Sequence, residues 1–116
     1  HMVDRFGTIL WANKAELTLL GYRPEEYIGR SVTEFHADPD VLDDVIQRLT
    51  HGETLSGRPV RIRAKDGSIK HLLVDSSACF LRGQLHHTRC FSRDVTGLSR
   101  LEDAYRTSER RWRTLV

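Results

Sequence analysis

The chain has 116 residues, of which 39% are hydrophobic and 29% charged, which fits a single domain with one core and leaves no room for a second. Its formal charge is only +2 and its basic residues are spread along the chain, so we expect no nucleic-acid-binding surface. No apolar run approaches the roughly 20 residues that span a bilayer, and no secretory signal is present, so we expect no membrane contact by this fragment.

The first two residues, His1 and Met2, look like the remnant of an expression tag, and we expect the natural N-terminus to be missing. The two cysteines, Cys79 and Cys90, both lie in strand-like sequence. That placement fits a reducing compartment better than a disulfide-bonded scaffold. We therefore predict a cytoplasmic fragment cut from a longer chain.

Short helical segments are predicted after a β-rich run at residues 8–12. Asn13, with Glu16 three residues later, has the pattern of a capping box that opens a helix, and Gly21 offers a left-handed stop. A second short segment follows, and residues 31–34 repeat the capping-box pattern. This part of the chain is therefore predicted to contain three small helical pieces in a row.

A longer helix is predicted to begin at Pro39 and to end at Gly52, because its apolar residues recur with a period of 3.6. Beyond Gly52 the period changes to two, which predicts strands at residues 60–65, 68–80 and 85–95 joined by turns. The order of strand, helices and three-strand meander predicts an α+β fold.

Alternation along the meander predicts the wall of an internal cavity. On its second strand, the inward face comprises Leu72, Val74, Ser76, Ala78 and Phe80. On its third strand, burial of Arg89 and Arg93 without partners would be costly, so the opposite, small and polar set should face inward. We expect Trp11 in the core and add it to this wall. The predicted ligand pocket comprises Leu72, Val74, Ser76, His86, Thr88, Cys90 and Trp11.

Four segments, in this order, resemble the motifs of the PAS family of sensory domains. They are residues 7–22 (GTILWANKAELTLLGY), 23–35 (RPEEYIGRSVTEF), 61–77 (RIRAKDGSIKHLLVDSS) and 93–102 (RDVTGLSRLE). Each alone is a weak signal, but four at the right spacing make the resemblance specific. Val95 stands where the family pattern at the end of the domain has Ile.

The resemblance implies a five-stranded antiparallel sheet with short helices over one face, a pocket for a small molecule or cofactor, and a C-terminal amphipathic relay helix. Residues 3–97 would form the PAS domain, with a truncated first strand around residues 3–5, and residues 98–116 the signalling helix. The family also implies that output leaves through the helix after Asp94 and Thr96. The parent would be a bacterial signalling protein such as a sensor histidine kinase.

The tail carries the spacing of a coiled-coil seam. The seam positions are Leu98, Leu101, Tyr105, Ser108, Trp112 and Leu115. This spacing favours a homodimer through a relay helix, and the alternative is a helix packed on the domain's own sheet. Residues 108–116 also look like the first helix of a following PAS repeat, so we expect a tandem PAS domain before the output domain. The predicted signal-relay residues are Asp94, Thr96, Leu98, Leu101, Tyr105 and Trp112.

The cofactor, if any, is unknown from the sequence, and we expect neither haem nor flavin. Haem-binding members of the family carry a His in the long helix, and residues 40–50 contain none. Flavin photoreceptors of the family carry a reactive Cys, and residues 29–35 contain none. His86 and His87 are predicted to point to opposite faces of a strand, so we predict no metal site. With no nucleotide-binding or nucleophile motif, we expect a non-enzymatic module.

Three functions remain open at this point. The leading one is a sensory and signal-relay module that binds a small molecule in an internal pocket and transmits the change to an output domain, for example a histidine kinase. The second is a dimerisation and relay module without a ligand. The third is a haem- or flavin-bearing redox or gas sensor.

Overall fold

The computed structural model describes the backbone of residues 1–115 and the side chains of residues 1–98 and 100–110. The strands are β1 (Met2–Asp4), β2 (Ile9–Trp11), β3 (Leu55–Arg63), β4 (Ile69–Leu81) and β5 (Gln84–Asp94). The helices are α1 (Lys14–Leu20), α2 (Pro24–Tyr27), α3 (Pro39–Thr50) and α4 (Thr96–Leu115), with a 3₁₀ helix at Val32–Glu34. None of these helices, within the described residues, combines the length and the apolar character needed to cross a membrane.

The strands form one antiparallel sheet in the order β2-β1-β5-β4-β3, which confirms the predicted α+β architecture with five strands. The N-terminal strand is expected around residues 3–5 and is found at Met2–Asp4. It lies between β2 and β5, with Val3 opposite Thr88. The first strand of the chain is thereby hydrogen-bonded to the last strand, β5, which lies at the centre of the sheet.

Helix α1 shows how the local sequence sets an element's limits. Asn13 caps it, because the side-chain oxygen accepts a hydrogen bond from the Glu16 backbone N–H at 2.9 Å. Gly21 ends it at φ 81°, a conformation that favours glycine, and donates its N–H to the Leu17 carbonyl. The other half of the predicted capping box is wrong, since the Glu16 carboxylate bonds to His1 and is buried.

A register shift divides the long hairpin of β4 and β5. Cys79 pairs with His87, but Phe80 pairs with Leu85, so His86 has no partner of its own on β4. An extra residue in one strand reverses the faces beyond it. The faces of β5 therefore change, and Leu85, the partner of Phe80, lies on the cavity side of the sheet. Phe80 itself is 45% exposed at the end of the hairpin and does not line the cavity.

The same shift brings two histidines together. The Nδ1 atoms of His86 and His87 lie 2.8 Å apart, so one ring donates and the other accepts. The prediction that these rings point to opposite faces of a regular strand is therefore wrong, and the irregular pairing beside them is the physical reason.

The core lies between the inner face of the sheet and helices α1 to α3. Ile9 and Leu20 are the most completely buried large side chains, each 1% exposed. Tyr22, Tyr27 and Phe35 form an aromatic cluster beside them, with ring centroids 4.7 to 5.7 Å apart. This packing holds the helices over the sheet.

Helix α4 leaves this layered body, and the chain as a whole measures 63 × 31 × 20 Å. In the described part of the helix, Leu98, Leu101 and Tyr105 are 61%, 71% and 67% exposed. These values contradict the alternative in which the predicted seam packs on the domain's own sheet. The side chains of Trp112 and Leu115, two further seam positions, lie outside the described residues.

Candidate ligand-binding site

An internal cavity of about 310 Å³ lies between the sheet and the helices. The sheet side of the cavity is formed by alternate residues of β3, β4 and β5, and the helix side by α1, α2, the 3₁₀ helix and α3. Prominent apolar lining residues are Val60, Leu72, Val74, Leu20, Phe35 and Leu42. The volume falls at the lower end of the range of about 300–1,000 Å³ found for small-molecule sites.

Five of the seven predicted pocket residues line this cavity. They are Leu72, Val74, Ser76, Thr88 and Cys90. His86 does not line it, because the register shift in the hairpin turns it outward and places Leu85 at the wall instead. Trp11 does not line it either. It ends the edge strand β2, beyond a register shift with β1, and its side chain is 51% exposed.

The carboxyl group of Glu16 is the principal buried charge at the cavity. The residue is 8% exposed, and its Oε1 lies 2.7 Å from His1 Nδ1. Its Oε2 is buried without a hydrogen-bond partner among the side chains that the structure describes. Burial lowers the pKa of His1, but hydrogen bonds with Cys90 and Glu16 outweigh burial and raise the pKa to about 10. His1 is therefore a cation at pH 7, paired with one of the two carboxylate oxygens.

Tyr27 and His36 border the cavity from the helix side. Burial raises the pKa of the Tyr27 hydroxyl, and the charge of Glu16 and a side-chain hydrogen-bonding interaction with it raise the pKa further, so the phenol stays neutral. Burial and the positive charge of His1 lower the pKa of His36 to about 4. The His36 imidazole is therefore neutral at pH 7.

Small polar side chains of β4 and β5 form the floor. Ser76 donates its hydroxyl to Cys90 Sγ at 3.0 Å. Burial raises the pKa of the Cys90 thiol, but hydrogen bonding with His1, Ser76 and Thr88 outweighs it, and the net shift is downward. Two residues further along β5, the Ser92 hydroxyl is buried and has no hydrogen-bond partner in the described part of the chain.

Strand β5 connects the cavity floor to α4 through a compact hydrogen-bonded junction. Asp94 Oδ1 accepts from the Thr96 N–H at 3.0 Å and from the Thr96 hydroxyl at 2.5 Å. The Thr96 hydroxyl oxygen in turn accepts from the His71 N–H at 3.0 Å, and the Val95 N–H donates to the His71 carbonyl at 2.8 Å. Two predicted relay residues, Asp94 and Thr96, thus meet β4 at the point where α4 begins.

Several cavity residues are absent from the sequence-based set, and Glu16 is the most important of them. Its spacing held a usable signal, because residues four apart share a helix face and Leu20 is a buried leucine. Glu16 therefore lies on the inward face of α1. Ser92 continues the alternation of Thr88 and Cys90 on β5, so the same rule predicts it, whereas His36 and Tyr27 come from segments too short for periodicity to indicate which way they point.

Comparison with known proteins gives a family and several similar structures. The family model described as the PAS fold matches residues 1–95. No curated protein matches the chain at a significant level.

Among solved structures, the sensory box histidine kinase/response regulator of Burkholderia thailandensis is similar at 23% identity and a TM-score of 0.75, over 97% of this chain and 88% of that one. The PAS domain of an HTR-like protein from Haloarcula marismortui is 26% identical, with a TM-score of 0.66, over 80% of this chain and 77% of that one.

The wild-type Cycle PAS-B domain of Drosophila melanogaster, with bound ethylene glycol, is 18% identical, with a TM-score of 0.73, over 80% of this chain and 95% of that one. At such identities these likenesses bear on the fold, and the family model adds the assignment by sequence. The chain therefore belongs to the PAS family of sensory domains.

Proposed function

We propose that this PAS domain is a sensor that binds a small molecule in its internal cavity and passes the change through β5 to α4. The observation that carries the proposal is the cavity of about 310 Å³, with apolar walls and buried polar atoms that have no partner in the described residues. A mostly apolar cavity with a few well-placed polar groups is the usual form of a small-molecule site. In this role the domain binds and does not catalyse.

The route to α4 is short. Thr88, Cys90 and Ser92 line the cavity, and the same strand reaches Asp94 two residues later. A ligand that displaces these side chains acts directly on the strand that holds Thr96. Because Thr96 is buried and bonded to both Asp94 and His71, a small shift of β5 against β4 would change how α4 leaves the body.

The receiver of the change is proposed to be a second copy of α4, since the seam residues Leu98, Leu101 and Tyr105 are exposed. The described seam is short, so we expect weak pairing of the isolated domain. The name of the similar sensory box histidine kinase supports the proposal of an output domain of that class. The tandem PAS domain before it stays a prediction from the pattern of residues 108–116. Sedimentation equilibrium tests the pairing. Leu101→Asp should abolish self-association, and unchanged association would contradict this arrangement.

Ligand binding can be tested with hexan-1-ol, because an apolar cavity of about 150 Å³ already accepts a six-carbon ring. Saturating hexan-1-ol should raise the melting temperature of the wild-type chain by several degrees through preferential binding to the folded state. Val74→Phe fills the cavity and should abolish the rise. Leu73→Phe, on the neighbouring position of β4 that does not line the cavity, is the matched control and should retain it. The absence of a rise in the wild type, or an equal rise in Val74→Phe, would contradict ligand binding and leave the relay module without a ligand.

A further inference from the structure

The carboxylate of Glu16 is an unusual group for the wall of an apolar cavity. It is 8% exposed, it lines the cavity, and its Oε2 has no hydrogen bond of regular geometry to any described residue, although the Tyr27 hydroxyl interacts with the same carboxylate. A buried ionisable group without a partner is costly, since its charge is removed from water without compensation. A molecule in the cavity that donates to Glu16 Oε2 would remove that cost.

The charged groups around the cavity point to the sign of the missing partner. Asp4, the other carboxylate in the lining, already accepts from the Phe6 and Thr8 N–H groups at 2.8 and 2.9 Å. Of the arginines in the lining, Arg5 donates to Gln84 Oε1 at 3.3 Å, and Arg58 is paired through Nη2 with Asp44 at 3.1 Å while its Nε is buried without a partner among the described residues. Both hydrogen bonds at Asp4 go to its Oδ1, so what distinguishes Glu16 is that its second oxygen is buried and has no hydrogen-bond partner in the described part of the chain. An anionic group at that oxygen would face the carboxylate directly.

The group already bound to Glu16 shows what the site accepts. The His1 imidazole is 2.7 Å from Oε1 and is cationic at pH 7, with its pKa raised to about 10. His36 adds no competing positive charge at that pH, because burial and His1 lower its pKa to about 4. A protonated nitrogen therefore satisfies one carboxylate oxygen, while the other is left for a second donor.

We propose that the cavity recognises a small molecule with an apolar body and a protonated amine, whose ammonium group donates to Glu16 Oε2. The apolar body lies against Leu72 and Val74, and the Ser92 hydroxyl supplies a second polar contact. This inference rests on the proposed function, because it names the chemical class of ligand for the same cavity. An ammonium–carboxylate hydrogen bond is stronger than a bond between neutral groups, so the amine is selected over an alcohol of the same length.

Three probes with six carbon atoms each test the inference: hexylamine, hexan-1-ol and hexanoate. Binding to the full chain at pH 7 is measured by isothermal titration calorimetry, since hexylamine is protonated there like a lysine amine. Hexylamine should bind about tenfold more tightly than hexan-1-ol, and hexanoate should bind most weakly. Glu16→Gln keeps the size of the side chain and should reduce hexylamine to the affinity of hexan-1-ol, which itself stays the same.

His1→Ala is the second variant, and it keeps Glu16 in place if Glu16→Gln proves too unstable to measure. Because it removes the competing cation, it should strengthen hexylamine binding severalfold and leave hexan-1-ol unchanged. Equal affinities of hexylamine and hexan-1-ol in both the wild type and His1→Ala would overturn the inference and leave the ligand-binding function standing. Binding of none of the three probes would overturn both.

Discussion

The layered body, residues 1–95, and helix α4 place their apolar side chains in opposite environments. In the body, Ile9 and Leu20 are each 1% exposed and pack between sheet and helices. In the described part of α4, Leu101 is 71% exposed although it lies at a seam position. The body therefore takes its stability from contacts within one chain, whereas the seam of α4 is stabilised only when another surface covers it.

The largest expected effect comes from truncating one leucine in each region. Leu20→Ala should lower the free energy of unfolding by about 2–5 kcal/mol, because it removes a fully buried side chain and leaves a cavity. Leu101→Ala should change it by less than about 0.5 kcal/mol at low protein concentration, because the leucine is exposed. Urea unfolding measures the free energy of unfolding of both variants. Similar decreases in the two variants would contradict the distinction between the two regions.

A second effect is expected from pH and belongs to the body alone. The pKa of His36 is lowered from 6.5 to about 4 in the folded chain, so between those values the unfolded state binds more protons than the folded state. The contribution of His36 to stability should therefore be full above pH 6.5 and fall by about 3 kcal/mol as the pH drops to 4, at 1.36 kcal/mol per unit. His1 contributes in the opposite sense, because its raised pKa of about 10 means that its contribution is lost as the pH rises above 6.5. Urea unfolding between pH 4 and 7 measures this slope.

His36→Gln is the control for the pH effect, because it removes the titrating ring from the same position. The variant should lose most of the slope between pH 4 and 6.5. If the free energy of unfolding of the variant changed with pH as steeply as that of the wild type, other groups would cause the pH dependence and the His36 prediction would be wrong.

A smaller difference is expected between two threonines, one at the start of α4 and one within it. Thr96→Val should cost about 1–3 kcal/mol, because the buried hydroxyl bonds both Asp94 and the His71 N–H. Thr107→Val should cost less than about 0.5 kcal/mol, since its hydroxyl bonds the Asp103 carbonyl at an exposed site. Thermal unfolding compares the two. Equal costs would mean that the junction is no better fixed than the surface of the helix.

Features set by residues close together in the sequence are predicted well, and features set by contacts between distant segments are not. Local chemistry predicts well, since the Asn13 cap, the Gly21 stop and the inward face at Leu72 and Val74 are all found. The alternation of apolar and polar residues does not reveal one extra residue in a hairpin, and that residue is enough to turn the His86 side chain away from the cavity.

Glu16 illustrates a second limit. A glutamate three residues after Asn13 is compatible both with a capping box and with a buried carboxylate. Only the tertiary structure shows that Glu16 is buried against His1. The predicted cavity wall was therefore correct where the sheet is regular and incomplete where helices contribute. The four-residue spacing to Leu20 places Glu16 on the inward face of α1, but no periodicity rule indicates that its carboxylate reaches a cavity instead of capping the helix.

The most direct test of the account is whether an occupied cavity changes the start of α4. In a ¹⁵N–¹H correlation spectrum titrated with hexylamine, we predict shifts at Cys90 and Ser92 that continue to Thr96 and Leu98, and we predict their loss in Val74→Phe. Shifts that stop at the cavity, with Thr96 and Leu98 unchanged at saturation, would contradict the claim that this domain passes ligand binding to its C-terminal helix.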